Sequence, residues 1–154
     1  MVRVLADPAL YAFTGGGPPS FDELRARYGR QVAGRSPDGT EAWFNWILRT
    51  DDPDEAVGYV QATVTDHGSV ADIAWVIGTP WHGRGFATEA ARAMVRWLRE
   101  QGVVAITAHV HRDHGASERV AERAGLAVTD AVEDGERVWR GVTGPATNRP
   151  RRLR

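Results

Sequence analysis

The clearest hydrophobic pattern in the chain lies between residues 86 and 100. Apolar residues recur there on one half of a helical wheel, which predicts an amphipathic helix. The opposite half carries four charged residues: Glu89, Arg92, Arg96 and Arg99. A helix with so wide an apolar face must pack on a sheet. A second helix is predicted over residues 21–31, where Ser20 and Glu23 have the spacing of a capping box.

Three strands are predicted between these two helices. Residues 42–50, 57–64 and 70–77 are rich in β-branched and aromatic side chains, and turn-forming residues separate them at positions 51–54 and 66–68. Short turns join antiparallel neighbours, so the three runs predict a meander.

The pattern after the long helix predicts a parallel crossover. Gly102 ends the helix, and residues 103–110 form a nearly unbroken apolar run, typical of a central strand. A shorter helix over residues 116–124 and two strands over residues 126–129 and 137–142 follow. Together these elements indicate an α+β fold with a mixed sheet.

Composition limits the kind of protein this is. A chain of 154 residues with 42% hydrophobic residues fits one globular domain. We expect that domain to span residues 1–144, followed by a flexible basic tail over residues 145–154. The formal charge of −1 gives no overall attraction to nucleic acid or membranes, and the absence of cysteine excludes disulfides and thiolate chemistry. Without a long apolar run or a signal-peptide pattern, a cytoplasmic location is expected.

The strongest chemical signal is the segment Trp-His-Gly-Arg-Gly-Phe-Ala at residues 81–87, between a predicted strand and the long helix. Glycines at such a junction let the backbone approach a ligand, and the free N–H groups of the first helical turn form an anion site. The segment lacks the Lys-Ser/Thr ending of a P-loop and the dinucleotide pattern G-x-G-x-x-G. It therefore predicts a pyrophosphate site of another type.

This segment resembles the acetyl-CoA motif of the GNAT superfamily of N-acetyltransferases, [Gln/Arg]-x-x-Gly-x-[Gly/Ala]. Gly85 and Ala87 match its last two defined positions, and His82 stands where Gln or Arg is usual. The resemblance extends from about Leu10 to Trp139 in the order of elements. It implies a mostly antiparallel sheet with helices on both faces and a splayed central strand pair. Against that fold, the chain looks shortened at its N-terminus.

A second stretch, residues 111–126, resembles the Asn-x-x-Ser and Gly-Phe pattern of the branch that includes ribosomal-protein N-terminal acetyltransferases. Ser117 matches, while His114 replaces Asn and Leu126 replaces Phe. Ala121 occupies the place of an acid tyrosine, which excludes that acid here. The resemblance leaves Ser117 as the candidate donor to the departing thiolate. The alternative is that Ser117 bonds the helix backbone.

The resemblance implies direct transfer of an acetyl group from acetyl-CoA to a primary amine of a peptide N-terminus or a small molecule. The donor would lie between the two central strands, held by these residues: Val76, Ile77, His82, Gly83, Arg84, Gly85, Phe86, Ala87, His114 and Ser117. Because an amine attacks only when neutral, a base is required. Asp72, in an otherwise apolar strand, is the candidate, with an exposed strand face as its alternative reading and His111 as the rival base.

Two other classes of function stay open from the sequence. One is a CoA-binding module without transferase activity. The other is a metal protein using His109, His111 and His114, although we expect no metal. Asn45 either meets solvent or lines the acceptor pocket. The acceptor and the oligomeric state, a homodimer included, are not determined.

Overall fold

The computed structural model describes residues 1–51 and 53–142, so the predicted tail over residues 145–154 lies outside it. The helices are α1 (Phe21–Gln31), α2 (Phe86–Glu100) and α3 (Gly115–Arg123). The strands are β1 (Ala42–Asp51), β2 (Asp54–Thr65), β3 (Val70–Ile77), β4 (Ala105–His111), β5 (Ala127–Glu133) and β6 (Glu136–Val142). Within the described ranges, no helix is both long enough and apolar enough to cross a membrane.

The six strands form one sheet in the order β1-β2-β3-β4-β6-β5. All neighbours are antiparallel except β3 and β4, which the crossover through α2 makes parallel. The predicted fold class, an α+β fold with a mixed and mostly antiparallel sheet, is therefore confirmed.

Helices cover both faces of the sheet. On one face, α2 and α3 pack on the main core, where Leu98 and Ala121 are both 0% exposed. Alternate residues of the three central strands complete that core: Val60, Ala62, Ala71, Ile73, Ile106 and Ala108. The α1 helix lies on the opposite face, where Tyr28 borders a small cavity with Ile47 and Tyr59. We call this the α1 face.

The two parallel strands pair over only a short length. Three residue pairs join them, and Asp72↔Thr107 is the last. Strand β4 instead pairs with β6 along its whole length, from Ala105 to His111. Beyond Asp72 and Thr107 the two strands separate, as predicted, and we call this opening the β3–β4 gap.

Several boundaries differ from the predicted ones, and those of β4 and β5 are the most informative. Strand β4 begins at Ala105 because Val103 donates its N–H to the Leu98 carbonyl and closes the end of α2, while Val104 bonds Ser69. Strand β5 runs to Glu133 rather than ending at residue 129. Its side chains are largely exposed, so no apolar alternation marks its length.

Candidate active site

The start of α2 has the backbone geometry of an anion site. Gly83 and Gly85 adopt left-handed φ angles of 74° and 86°, and Gly85 is the N-cap residue, with no side-chain cap. The first intrahelical bond runs from Glu89 N–H to the Gly85 carbonyl at 3.0 Å, so the amides of residues 86–88 have no acceptor in the helix. A Cβ added at either glycine would meet nothing within 4 Å. The space over the free amides is therefore open to a phosphate.

Two side chains of the same loop have fixed positions. The Nε2–H of His82 donates to the Ile77 carbonyl at 2.7 Å, which ties the loop to the end of β3. The Arg84 guanidinium lies 5.0 Å from the centre of the Phe86 ring, a cation–π contact. His82 thus holds the shape of the loop, and Arg84 is the cation beside the anion site.

His114 lies at the other side of the opening, as the N-cap residue of α3. Its ring stacks on Phe13 with centroids 4.5 Å apart. Burial lowers the pKa of His114, and the nearby His82 and His111 lower it further. The imidazole is therefore neutral at pH 7. Sequence reasoning did not find Phe13, since nothing in its local pattern marks it as a partner of the histidines.

The backbone of β3 presents alternate residues to the β3–β4 gap. Gly78 N–H donates to Val57 of β2 at 2.8 Å, and antiparallel pairing repeats every second residue, so Val76 also turns its amide and carbonyl toward β2. A Cβ at Gly58 of β2 would collide with the Val76 carbonyl, which agrees with that direction. Trp75 and Ile77 therefore face the gap. The predicted donor-binding residue Val76 thus turns its backbone groups to β2, whereas Trp75, which sequence reasoning did not select, turns its own to the gap.

Ser117 contacts a residue of β3. The Trp75 indole Nε1–H donates to the Ser117 Oγ at 2.9 Å, a bond between residues 42 positions apart. The Ser117 hydroxyl accepts in this bond and keeps its own proton to donate. The side chain is thus directed toward β3 rather than to the backbone of its own helix, and sequence reasoning missed its partner Trp75.

Asp72 belongs to a row of three side chains on the α1 face. His109 Nδ1 lies 3.3 Å from Asp72 Oδ1, and His109 Nε2 lies 2.9 Å from Glu133 Oε2. The side chains of Asp72, His109 and Glu133 are 56%, 26% and 62% exposed. We call these residues the carboxylate–histidine row. Asp72 is exposed, which agrees with the alternative that it lies on a solvated strand face. It also pairs with His109 and lies at the mouth of the β3–β4 gap.

The row changes the acidity of its members. Partial burial on the sheet raises the pKa of Asp72 above its ordinary value, and the neighbouring His109 opposes the rise. Burial alone lowers the pKa of His109, but its bonds to Glu133 and Asp72 outweigh this and raise the pKa. Asp72 is thus a stronger base than an ordinary aspartate.

The α1 face beyond Asp72 is polar. Thr63 of β2 is the strand partner of Asp72, and Gln61 lies two residues along on the same face. Gln61 and the exposed Asn45 line the small cavity beneath α1, where the buried Tyr28 hydroxyl has no hydrogen-bond partner among the described residues. Asn45 is therefore exposed to solvent, the first of its two alternatives, and it also borders this cavity.

The histidines do not converge on one point. His109 binds carboxylates, whereas His111 accepts the Asp113 N–H at 3.2 Å and lies beside Phe13. Across residues 1–51 and 53–142, no group of three or more His, Asp or Glu side chains is arranged to hold a metal ion. The metal-protein alternative has no ligand set in this part of the chain.

Comparison with known sequences gives one family. Residues 1–127 match the family described as the acetyltransferase (GNAT) domain. No curated protein sequence matches the chain at a significant level.

Solved structures share the fold at low sequence identity. An acetyltransferase of the GNAT family from Bacillus anthracis has a TM-score of 0.72 and 16% identity, covering 92% of this chain and 86% of its own. The aminoglycoside acetyltransferase AAC(6')-Ib in complex with coenzyme A and kanamycin has a TM-score of 0.72 and 19% identity, with the same coverage. The spermidine N-acetyltransferase from Vibrio cholerae in complex with CoA and spermine has a TM-score of 0.66 and 18% identity, covering 90% and 84%.

Proposed function

Since the chain belongs to the GNAT acetyltransferase family and takes its acetyl group from acetyl-CoA, we propose that a primary amine of a small molecule or a peptide N-terminus attacks the thioester directly, with Asp72 as the base. The observation that carries this proposal is the β3–β4 gap, which opens at Asp72. A donor lying in the gap would present its thioester to an amine that arrives from the α1 face.

Different residues around the gap would bind different parts of the acetyl-CoA donor. The pyrophosphate would meet the free amides of residues 86–88, with Gly83 and Gly85 giving room and Arg84 giving charge. The backbone groups of Trp75 and the N–H of Ile77, whose carbonyl already accepts from His82, would pair with the amide groups of the pantetheine arm. The neutral His114 and its partner Phe13 would form the apolar wall at the entrance.

The chemistry requires one proton to leave the amine and one to reach the sulfur. As the amine nitrogen bonds to the carbonyl carbon and the carbon–sulfur bond breaks, Asp72 takes the proton of the amine. Ser117 donates a hydrogen bond to the departing thiolate, which takes its proton from water, while the Trp75 indole holds the Ser117 oxygen in place. Both residues flank the gap, on β3 and α3.

The two acids of the carboxylate–histidine row support a cationic acceptor at the mouth of the gap. Asp72 and Glu133 are both exposed acids on the α1 face, and a primary amine is mostly an ammonium ion at pH 7. The similar structures from Vibrio cholerae and of AAC(6')-Ib hold spermine and kanamycin, which are amines with several cationic groups. Small polyamines and aminoglycosides are therefore the first acceptors to test, beside peptides with a free N-terminus.

The first experiment is a screen of these amines for release of free CoA from acetyl-CoA. With the best acceptor, Asp72→Asn should lower kcat roughly 10²- to 10⁴-fold, because the amide cannot accept the proton. Binding of acetyl-CoA, measured by calorimetry, should stay as in the wild type. Asp130→Asn, an exposed aspartate on β5, is the matched control. Near-normal turnover by Asp72→Asn would remove Asp72 as the base.

A further inference from the structure

The carboxylate–histidine row joins three strands through one imidazole. Both ring nitrogens of His109 are engaged, Nδ1 with Asp72 of β3 at 3.3 Å and Nε2 with Glu133 of β5 at 2.9 Å. The histidine is the most buried member, and Glu133 at the far end is the most exposed. The row thus runs along the α1 face from Asp72 at the mouth of the β3–β4 gap, through the more buried His109, to Glu133.

The other charged groups around His109 are few. On β6 its strand partner is the buried Val138, with Glu136 opposite His111 and Arg140 opposite Thr107 on the same face. Arg137 points to the other face, where it pairs with Glu118 of α3 at 3.1 Å. Asp72 and Glu133 are therefore the groups in direct contact with the His109 ring.

We propose that His109 and Glu133 carry the proton of the acceptor amine from Asp72 to solvent. The proposal rests on Asp72 being the base of the transferase. Asp72, once protonated, gives its proton to the neutral His109, and the imidazolium that forms lies between two carboxylates. It loses one proton to Glu133, which releases it to water. Asp72 is then a carboxylate again, and no other reactant is consumed.

The relay predicts how activity depends on pH. His109 must be neutral to receive the proton, so kcat at saturating acceptor should rise as pH increases through the pKa of His109. The carboxylates raise that pKa above the ordinary histidine value of about 6.5. The ascending limb of the profile of kcat against pH should therefore have its midpoint above about 6.5, the ordinary pKa of histidine.

Two variants test the relay through this limb. In His109→Gln the side chain still forms hydrogen bonds but does not titrate, so the limb should leave the neutral range and kcat should fall at least about tenfold. In Glu133→Gln the carboxylate that raises the pKa of His109 is gone, so the limb should move to lower pH. Glu133 is exposed, and its replacement leaves the core untouched.

Controls separate this inference from the proposed function. His67→Gln replaces an exposed histidine in the turn after β2 and should keep both the limb and the rate. If Asp72→Asn is inactive while His109→Gln and Glu133→Gln keep the wild-type limb and kcat, the relay is wrong and the base assignment stands. If His111→Gln alone removes the limb, His111 and not His109 carries the proton. Calorimetry with acetyl-CoA on each variant shows that it is folded.

Discussion

At the scale of single residues, Gly85 determines whether a phosphate can approach the start of α2. Its φ of 86° is left-handed, and the space where a side chain would stand is open. In Gly85→Val the new side chain would fill the space over the free amides, so we expect the affinity for acetyl-CoA, measured by calorimetry, to fall at least about tenfold. The variant should also lose roughly 1–3 kcal/mol of stability, because a β-branched residue is strained at this φ.

Gly39→Val separates the two effects. Gly39 has a φ of 73° and nothing within 4 Å of an added Cβ, but it lies in the turn before β1. It should show the loss of stability with unchanged affinity for acetyl-CoA. Equal affinities in the two variants would place the pyrophosphate elsewhere.

Ser117 gives a prediction about the leaving group. Ser117→Ala removes the hydroxyl that accepts the Trp75 indole N–H, and we expect kcat to fall by roughly one to two orders of magnitude with acetyl-CoA binding retained. Ser117→Thr keeps a hydroxyl and should recover much of the rate. Trp75→Phe removes the indole N–H and keeps a smaller aromatic ring at this position. A rate loss in Trp75→Phe as large as in Ser117→Ala would mean that the bond, and not the hydroxyl proton, matters.

The sequence identifies some site residues and not their partners, for a physical reason. Asp72 is visible because an acid is unusual in an apolar strand, and the glycines because their position before a helix is informative. The contacts of Asp72 with His109, and of Ser117 with Trp75, depend on how the crossover through α2 sets the register of β3 and β4. His109 and His111 do share a strand face, as expected, but the local pattern does not show the carboxylates that His109 meets.

At the scale of elements, the capping box formed by Ser20 and Glu23 stabilises the start of α1. Ser20 N–H donates to Glu23 Oε2 at 2.7 Å, and Glu23 N–H donates to Ser20 Oγ at 3.3 Å. Ser20→Ala removes one of these bonds and should cost about 1 kcal/mol of unfolding free energy, measured by urea denaturation at pH 7. An unfolding free energy unchanged in Ser20→Ala would show that the box does not stabilise the fold.

The same box predicts a pH dependence. The bonds from Ser20 lower the pKa of Glu23, so the stability that its carboxylate adds is present above the unfolded pKa and is lost as the pH falls through the folded pKa. The difference in unfolding free energy between Ser20→Ala and the wild type should therefore become smaller as the pH falls. A difference that stays constant down to full protonation would show that the bond from the Ser20 hydroxyl to the Glu23 carboxylate, 2.8 Å long, does not contribute.

Element boundaries follow from the sequence where a specific residue ends the element. Helix α1 and helix α2 have the predicted bounds because a capping serine starts one and a glycine precedes the other. The start of β4 does not, because Val103 and Val104 are as apolar as the strand but serve to close α2 and to bond Ser69. Hydrophobicity alone does not distinguish these two uses of a valine.

At the scale of the whole molecule, the domain boundary remains a prediction. Residues 145–154 carry a basic sequence without apolar periodicity, and we propose that they are dispensable. The chain ending at Gly144 should keep the Tm of the full chain and the same rise in Tm when acetyl-CoA is added. A fall of several degrees, which corresponds to about 1 kcal/mol, would show that the last residues pack on the domain.

The topology could be predicted because its order of elements is distinctive: a meander, a crossover and a final pair of strands. The α1 face could not, because its polar surface is assembled from five strands, β1 to β5, and no single stretch carries the pattern. The acceptor site is the part of such a protein that sequence describes least.

The short pairing of β3 with β4 has a consequence for solubility. Where two strands separate within a sheet, each presents an edge whose backbone groups can pair with another extended chain, and exposed edges of this kind promote aggregation. The pantetheine arm would occupy the same groups. We therefore expect acetyl-CoA to suppress aggregation of the folded protein on long incubation, so that the supply of the donor would govern how long the enzyme lasts as well as how fast it works.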